Sequence, residues 1–169
     1  MKNLLSFGPD TAAPELKSLN ILIGPNASGK SNLIDALALM RATPNSAASK
    51  MDLRAVGRLG GGVREWLWKG GVGQPASVSI VVGDPRVERE LRHTISFYAD
   101  PEGFRIDDET VDDVGFSVEP FHYVLSRGLD PARHRGLLGR RLNLSRELPI
   151  LAQRRDPEQY PEFTHLAES

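Results

Sequence analysis

The chain contains no cysteine, which excludes disulfides, thiolate metal sites and thiol catalysis. No apolar run approaches the ~20 residues needed to cross a bilayer. Met1 leads directly into a short strand-like segment rather than a secretory leader. These two absences set the expectation of a cytoplasmic protein with no membrane partner. The four histidines (93, 122, 134 and 165) are not spaced as metal ligands. Aromatic residues make up only 7% of the chain. None of them lies among the arginines of its most basic stretch, so a platform for stacking single-stranded bases is not written there. What remains is ordinary for a soluble globular chain: 40% hydrophobic and 25% charged residues with a net charge of -1. A chain of 169 residues is long enough for one domain, which at this size buries roughly 70% of its unfolded surface.

Against this background one segment stands out. Gly24-Pro25-Asn26-Ala27-Ser28-Gly29-Lys30-Ser31 fits G-x-x-x-x-G-K-[ST], the phosphate-cradling P-loop. The apolar run Leu19-Asn20-Ile21-Leu22-Ile23 precedes it and reads as a buried strand. Asn32–Met40 follows it, with Leu33, Ile34, Leu37 and Met40 recurring at helical spacing. Strand, glycine loop and helix are the arrangement that phosphate binding needs. Gly24 and Gly29 permit backbone angles that a Cβ would forbid, so successive N–H groups can turn towards one phosphate. The helix start near Lys30 adds unsatisfied N–H groups and the positive end of the helix dipole. Lys30 is placed to reach the β- and γ-phosphates, and Ser31 to hold Mg²⁺ through its hydroxyl. Pro25 stiffens the loop entry and Ser28 can donate a further hydrogen bond. The expected ligand is a nucleoside triphosphate with Mg²⁺.

The run GPNASGKSNLIDAL resembles the RecF/SMC/OLD-like branch of ABC-type ATPases, whose P-loop commonly reads GPNGSGKSN and continues into a Leu/Ile-rich helix. Ala27 replaces the more usual glycine of that pattern. Asn32, directly after Ser31, is characteristic of the branch. Lys2–Phe7 also resembles its first strand. The stretches Gly60–Gly70 and Leu151–Pro157 resemble bacterial RecF-like AAA family ATPases. The resemblance implies an α/β P-loop NTPase: an ABC-ATPase-like N-terminal lobe with an added antiparallel β-sheet and a C-terminal helical segment. It implies ATP and Mg²⁺ as cofactors, Lys30 as the catalytic lysine, and Gly24 through Asn32 as the nucleotide-binding residues. Gln153 is the candidate for the Q-loop glutamine, which in the family touches Mg²⁺ and the attacking water; an exposed helical glutamine is the alternative.

The rest of the chain reads as one domain over 1–169. A first strand is expected near Asn3–Phe7, the P-loop helix ends by Thr43-Pro44, and a short helix is expected at Met51–Arg58. A strand-rich region covers 63–125, with its best runs at Val78–Val82 and His93–Tyr98. Turn chemistry lies at Gly83-Asp84-Pro85 and Asp100–Gly103. A helical segment starts near 146, with helix at Glu158–Glu168. Ile80–Asp84 superficially resembles a Walker B strand, but Pro85 follows Asp84 and a hairpin turn is the better reading. Leu59–Gly62 is not an ABC signature. Between Arg127 and Arg155 eight arginines face Asp130 and Glu147, a balance of +6. That stripe could follow nucleic-acid phosphates or be a solvated face.

Hydrolysis needs a second acidic centre and a group that positions water, and neither is evident. In the resembled family these parts, with the signature and the switch histidine, lie in a C-terminal half. The chain therefore reads as the N-terminal half of a longer ATPase, completed by that half or by a homodimer. The alternatives are a P-loop small-molecule kinase, with Arg133–Arg146 as its lid, and a non-catalytic interaction module that has kept the loop.

Overall fold

The computed structural model describes residues 1–45, 62–71, 73–84, 89–100, 103–114, 122–126, 148–154 and 156–168. At its centre is a four-stranded antiparallel sheet in the order β1-β2-β3-β4. The strands are β1 (Ala76–Asp84), β2 (Arg89–Asp100), β3 (Gly103–Asp113) and β4 (His122–Ser126). Among the described residues three helices accompany them: α1 (Lys30–Ala42), α2 (Ile150–Gln153) and α3 (Pro161–Glu168). Short 3-10 turns occupy Thr43–Asn45 and Val63–Trp66.

The strands form where apolar and polar residues alternate, because successive side chains point to opposite faces. Ala76 and Val78 of β1 are buried with Leu91, Ile95 and Phe97 of β2, while Ser79, Val81, Glu90 and Arg92 are exposed. Asp84 pairs with Arg89 at the mouth of the β1–β2 hairpin, so Asp84 ends a hairpin arm. In β3 the alternation slips by one residue. Ile106 faces Phe97 and Asp108 faces Ser96, so Asp107 is an extra residue in a β-bulge. The bulge lets Ile106, Glu109 and Val111 all lie buried on the inner face.

Leu4, Ala36, Leu39 and Met40 of α1, Ile150 and Leu151 of α2, and Phe163 and Leu166 of α3 complete one core with that face. α2 packs against the 43–45 turn, and α3 against α2 and β2. Tyr160 and Phe163 stack with ring centroids 5.3 Å apart. The turn leading into α3 is closed by Asp156 Oδ1, which accepts from the Glu158 and Gln159 amides at 3.0 and 3.2 Å.

Three local expectations are corrected. Asn3–Phe7 is a tight turn rather than a strand. Leu4 and Phe7 exchange backbone hydrogen bonds at 3.0 and 2.8 Å, and Asn3 and Leu5 have positive φ (50° and 53°). Lys2 pairs with Ser77 and Leu5 with Trp66, so the segment is stitched crosswise between two neighbours and cannot extend along one. Leu19–Ile23 forms no strand. Leu19, Ile21 and Ile23 are 81%, 77% and 90% exposed. A strand of a parallel sheet is buried only when neighbours cover both its faces, and among the described residues no strand pairs with it. The helix itself starts at Lys30, as expected, but its buried face is not the one its apolar spacing suggests. Its buried side chains are Ala36, Leu39, Met40 and Ala42, while Ile34 and Leu37 are exposed. The helix suggested at Met51–Arg58 and nearly all of the arginine stretch lie outside the described residues.

Candidate functional site

The loop from Gly24 to Gly29 bends because two of its residues are left-handed. Ala27 has φ 64° and Gly29 has φ 88°. At Gly29 this conformation suits only glycine, since a Cβ there would also sit 2.9 Å from Ser6 Oγ and 3.7 Å from the Phe7 ring. A Cβ on Gly24 would meet Ser28 Oγ at 3.0 Å. Gly29 is the N-cap of α1 and makes no side-chain cap bond. The first turn of the helix carries no acidic residue, so nothing of its own offsets the positive end of the dipole. Its carbonyl accepts from Leu33 N at 2.9 Å, closing the first turn.

Lys30 folds back over this bend. Its Nζ donates to Gly24 O at 2.8 Å, Pro25 O at 2.6 Å and Ser28 Oγ at 3.2 Å. Ser28 N in turn donates to Pro25 O at 3.3 Å. Three neutral acceptors hold the ammonium, and phosphate oxygens, being charged, are stronger ones. Ser31 is exposed at the start of the helix and Asn32 is half-buried. The glycine bend, the bare helix end, the lysine and the hydroxyl fit a triphosphate with its magnesium.

Pattern reading missed two residues at this site. Ser6 and Phe7 come from the N-terminal turn and stand where a Cβ on Gly29 would meet them, although their sequence positions carry no signal beyond an apolar-polar mixture. The structure also leaves one candidate apart from the others. Gln153 lies in α2, against the turn that follows the C-terminal end of α1. A 13-residue helix, about 20 Å long, separates that end from Lys30 and Ser31. Its Nε2 donates to Leu148 O at 2.6 Å, within its own turn. Gln153 is therefore not brought to Ser31. No group of three or more His, Asp or Glu side chains that could hold a metal occurs among the described residues, and no described helix is long and apolar enough to cross a membrane.

Comparison with known proteins decides the class. The sequence pattern of the family described as "AAA domain, putative AbiEii toxin, Type IV TA system" matches residues 19–146, three quarters of the chain. The chain belongs to this family. Membership in an AAA-domain family implies a P-loop NTPase, and the glycine bend before α1 carries the residue pattern of a P-loop. Over 32 residues the chain is also 59% identical to the chromosome partition protein Smc of Gloeobacter violaceus. That match covers 19% of this chain and 3% of the Smc protein, so the chain spans a small fraction of that relative's length. No solved structure matches. The family match and the Smc match together place the chain with the N-terminal part of P-loop AAA/SMC-like ATPases. The four-stranded antiparallel sheet is the part of this AAA domain that the structure adds to the P-loop unit.

Proposed function

We propose that the chain binds ATP with Mg²⁺ and supplies the phosphate-binding part of a RecF/SMC-like, ABC-type ATPase head. The observation that carries this is the bend at Gly24–Gly29 with Lys30 drawn over it and Ser31 at an unopposed helix start. The amides from Asn26 to Gly29 take the phosphates, Lys30 pairs with the β- and γ-oxygens, and Ser31 holds the metal. Asn32 lines the same first turn. When bound, the magnesium neutralises charge that builds on the phosphates. Gln153 lies at the far end of α1 from Ser31, so the metal is left to Ser31 and to a carboxylate from elsewhere.

The exposed run at Leu19–Ile23 supports a head completed by other strands. Among the described residues its backbone has no hydrogen-bond partner, its side chains apart from Asn20 are apolar, and Ile34 and Leu37 of α1 are exposed. Strands bringing an acidic Walker B end would bury this surface, whether they come from a C-terminal half or a second chain. In the complete head two such sites sandwich ATP and hydrolyse it, with DNA held by the arginines between 127 and 155. DNA repair or defence is the setting this reading suggests.

The test is a calorimetric titration of the chain with Mg·ATP. Binding should be measurable for the wild type and lost in Lys30→Ala. Identical thermal stability with and without millimolar Mg·ATP would remove the reading, since a ligand that binds the native state must stabilise it. Steady-state hydrolysis by the chain alone, abolished by Lys30→Ala, would show that it carries its own catalytic acid. Phosphate transfer to an added metabolite pool would point to a kinase instead.

A further inference from the structure

A buried ionisable pair lies on the inner face of the sheet, and phosphate binding does not use it directly. His93 of β2 and Glu109 of β3 are 1% and 0% exposed. His93 Nε2 is 2.8 Å from Glu109 Oε1. The register sets Glu109 opposite Ile95 and His93 opposite Val111, so the two are diagonal neighbours, within reach of long side chains. The other carboxylate oxygen, Oε2, accepts from the backbone N–H of Ile150 at 2.7 Å. Ile150 is the first residue of α2, and its N-cap is Pro149, which makes no side-chain cap bond. A carboxylate 41 residues away in sequence therefore caps this turn. α2 is buried through Ile150, Leu151 and Ala152 and packs against the 43–45 turn, where Thr43 and Pro44 are also buried. That turn continues α1 without a break, and α1 begins at the phosphate loop.

A buried carboxylate is costly, and apolar residues of similar volume often replace a buried ion pair without loss of stability. The pair is better explained by placement than by stability. From the geometry we infer that Glu109, steadied by His93, is a positioning residue for the phosphate loop: it fixes the α2 turn that braces the far end of the P-loop helix. The inference rests on the nucleotide-binding reading above. Coupling of this kind is reciprocal. Nucleotide that fixes the start of α1 must tighten the Ile150–Glu109 contact, and loosening that contact must weaken nucleotide binding by the same factor.

Hydrogen exchange on the wild-type chain, with and without saturating Mg·ATP, tests one direction. ATP should slow exchange of the Ile150 amide at least fivefold more than it slows the β1–β2 ladder amides. Titration of variants tests the other. Glu109→Ala should weaken ATP binding fivefold or more. Glu109→Gln should stay within twofold of wild type, because its amide oxygen still accepts from Ile150 and its amide nitrogen can donate to His93. Ile106→Ala, a core truncation on the same strand, should lower Tm and leave the affinity unchanged. Wild-type affinity in Glu109→Ala, equal slowing at Ile150 and the ladder, or a loss in Ile106→Ala matching that in Glu109→Ala would each overturn the inference. If Glu109→Ala does not fold, the wild-type exchange and Glu109→Gln decide alone. A wild-type chain that binds no ATP removes the nucleotide reading and this inference together; one that binds ATP and fails the exchange test removes only the inference.

Discussion

Ala27 and Gly29 are two residues apart in one loop, both with positive φ, and substitutions at them should shift stability in opposite directions. An L-residue with a Cβ pays about 1–2 kcal/mol for left-handed backbone. Ala27→Gly removes that strain and adds unfolded-chain entropy worth roughly 0.5–1 kcal/mol against folding. The net expectation is stabilisation by about 0.5 kcal/mol. Gly29→Ala runs the other way. It takes on the same strain, recovers some entropy, and places its Cβ 2.9 Å from Ser6 Oγ and 3.7 Å from the Phe7 ring. It should cost about 1 kcal/mol or more. For a chain of this size 1 kcal/mol moves Tm by about 2–4 °C. The two variants should therefore melt at least about 3 °C apart, with Ala27→Gly on the warm side. Thermal unfolding followed by tryptophan fluorescence, using Trp66 and Trp68, measures both. Equal Tm values, or an Ala27→Gly variant less stable than wild type by more than about 1 kcal/mol, would mean that Ala27 is not left-handed and the bend is built differently.

Other expectations concern the same surfaces. Lys30→Ala removes three hydrogen bonds that are all solvent-exposed, so unfolding stability should change by no more than about 0.5 kcal/mol, as is typical of surface changes, while nucleotide affinity drops at least tenfold by titration. Replacing Leu19, Ile21 and Ile23 together by serine should leave Tm nearly unchanged and reduce binding of a hydrophobic dye, because these side chains are exposed; a loss of several kcal/mol, as for Phe97→Ala at about 3–5 kcal/mol, would show that the run is buried. The Met1 amino group is held below its ordinary value of 8.0, first by burial and then by Lys2. The unfolded chain then binds more protons between the lowered value and 8.0, so stability should rise with pH through that window and fall on acidification. Denaturant titrations at several pH values check the slope, which N-terminal acetylation should abolish.

Much of the site could be read from local chemistry. The P-loop needs particular residues at fixed spacing, because glycine backbone angles, a helix start and a lysine within reach must coincide, and Gly24–Ser31 states all of these. The β1–β2 hairpin was readable from the alternating runs at Val78–Val82 and His93–Tyr98, which form its two arms, while Gly83 and Asp84, read as turn residues, belong to the first strand. Burial was less readable. Leu19–Ile23 has the composition of a covered strand, but cover depends on what pairs with it, and composition does not carry that. The apolar side of α1 was misassigned because small Ala36 and Ala42 face the core beside Leu39 and Met40, while larger Ile34 and Leu37 point outward. Gln153 sits in a suitable stretch of sequence, yet its place in space is set by α2 packing on the 43–45 turn, a contact between residues about 110 positions apart. The His93–Glu109 pair had no sequence signal, since it depends on strand register and on the bulge.

The bulge has a consequence for the length of β3. The inner face needs Ile106, Glu109 and Val111, but strict alternation from Ile106 would turn Asp108 and Thr110 inward instead. The chain has one residue more than the pleat requires, and Asp107 takes up the excess. Deleting Asp107 should leave the same three side chains inward, with a straighter strand and Glu109 still beside His93. Deleting a residue between Glu109 and Val111, or adding one beside Asp107, shifts one part of the strand against the other and exposes what was inside. Insertions and deletions in this strand should therefore be tolerated at one position and rejected next to it.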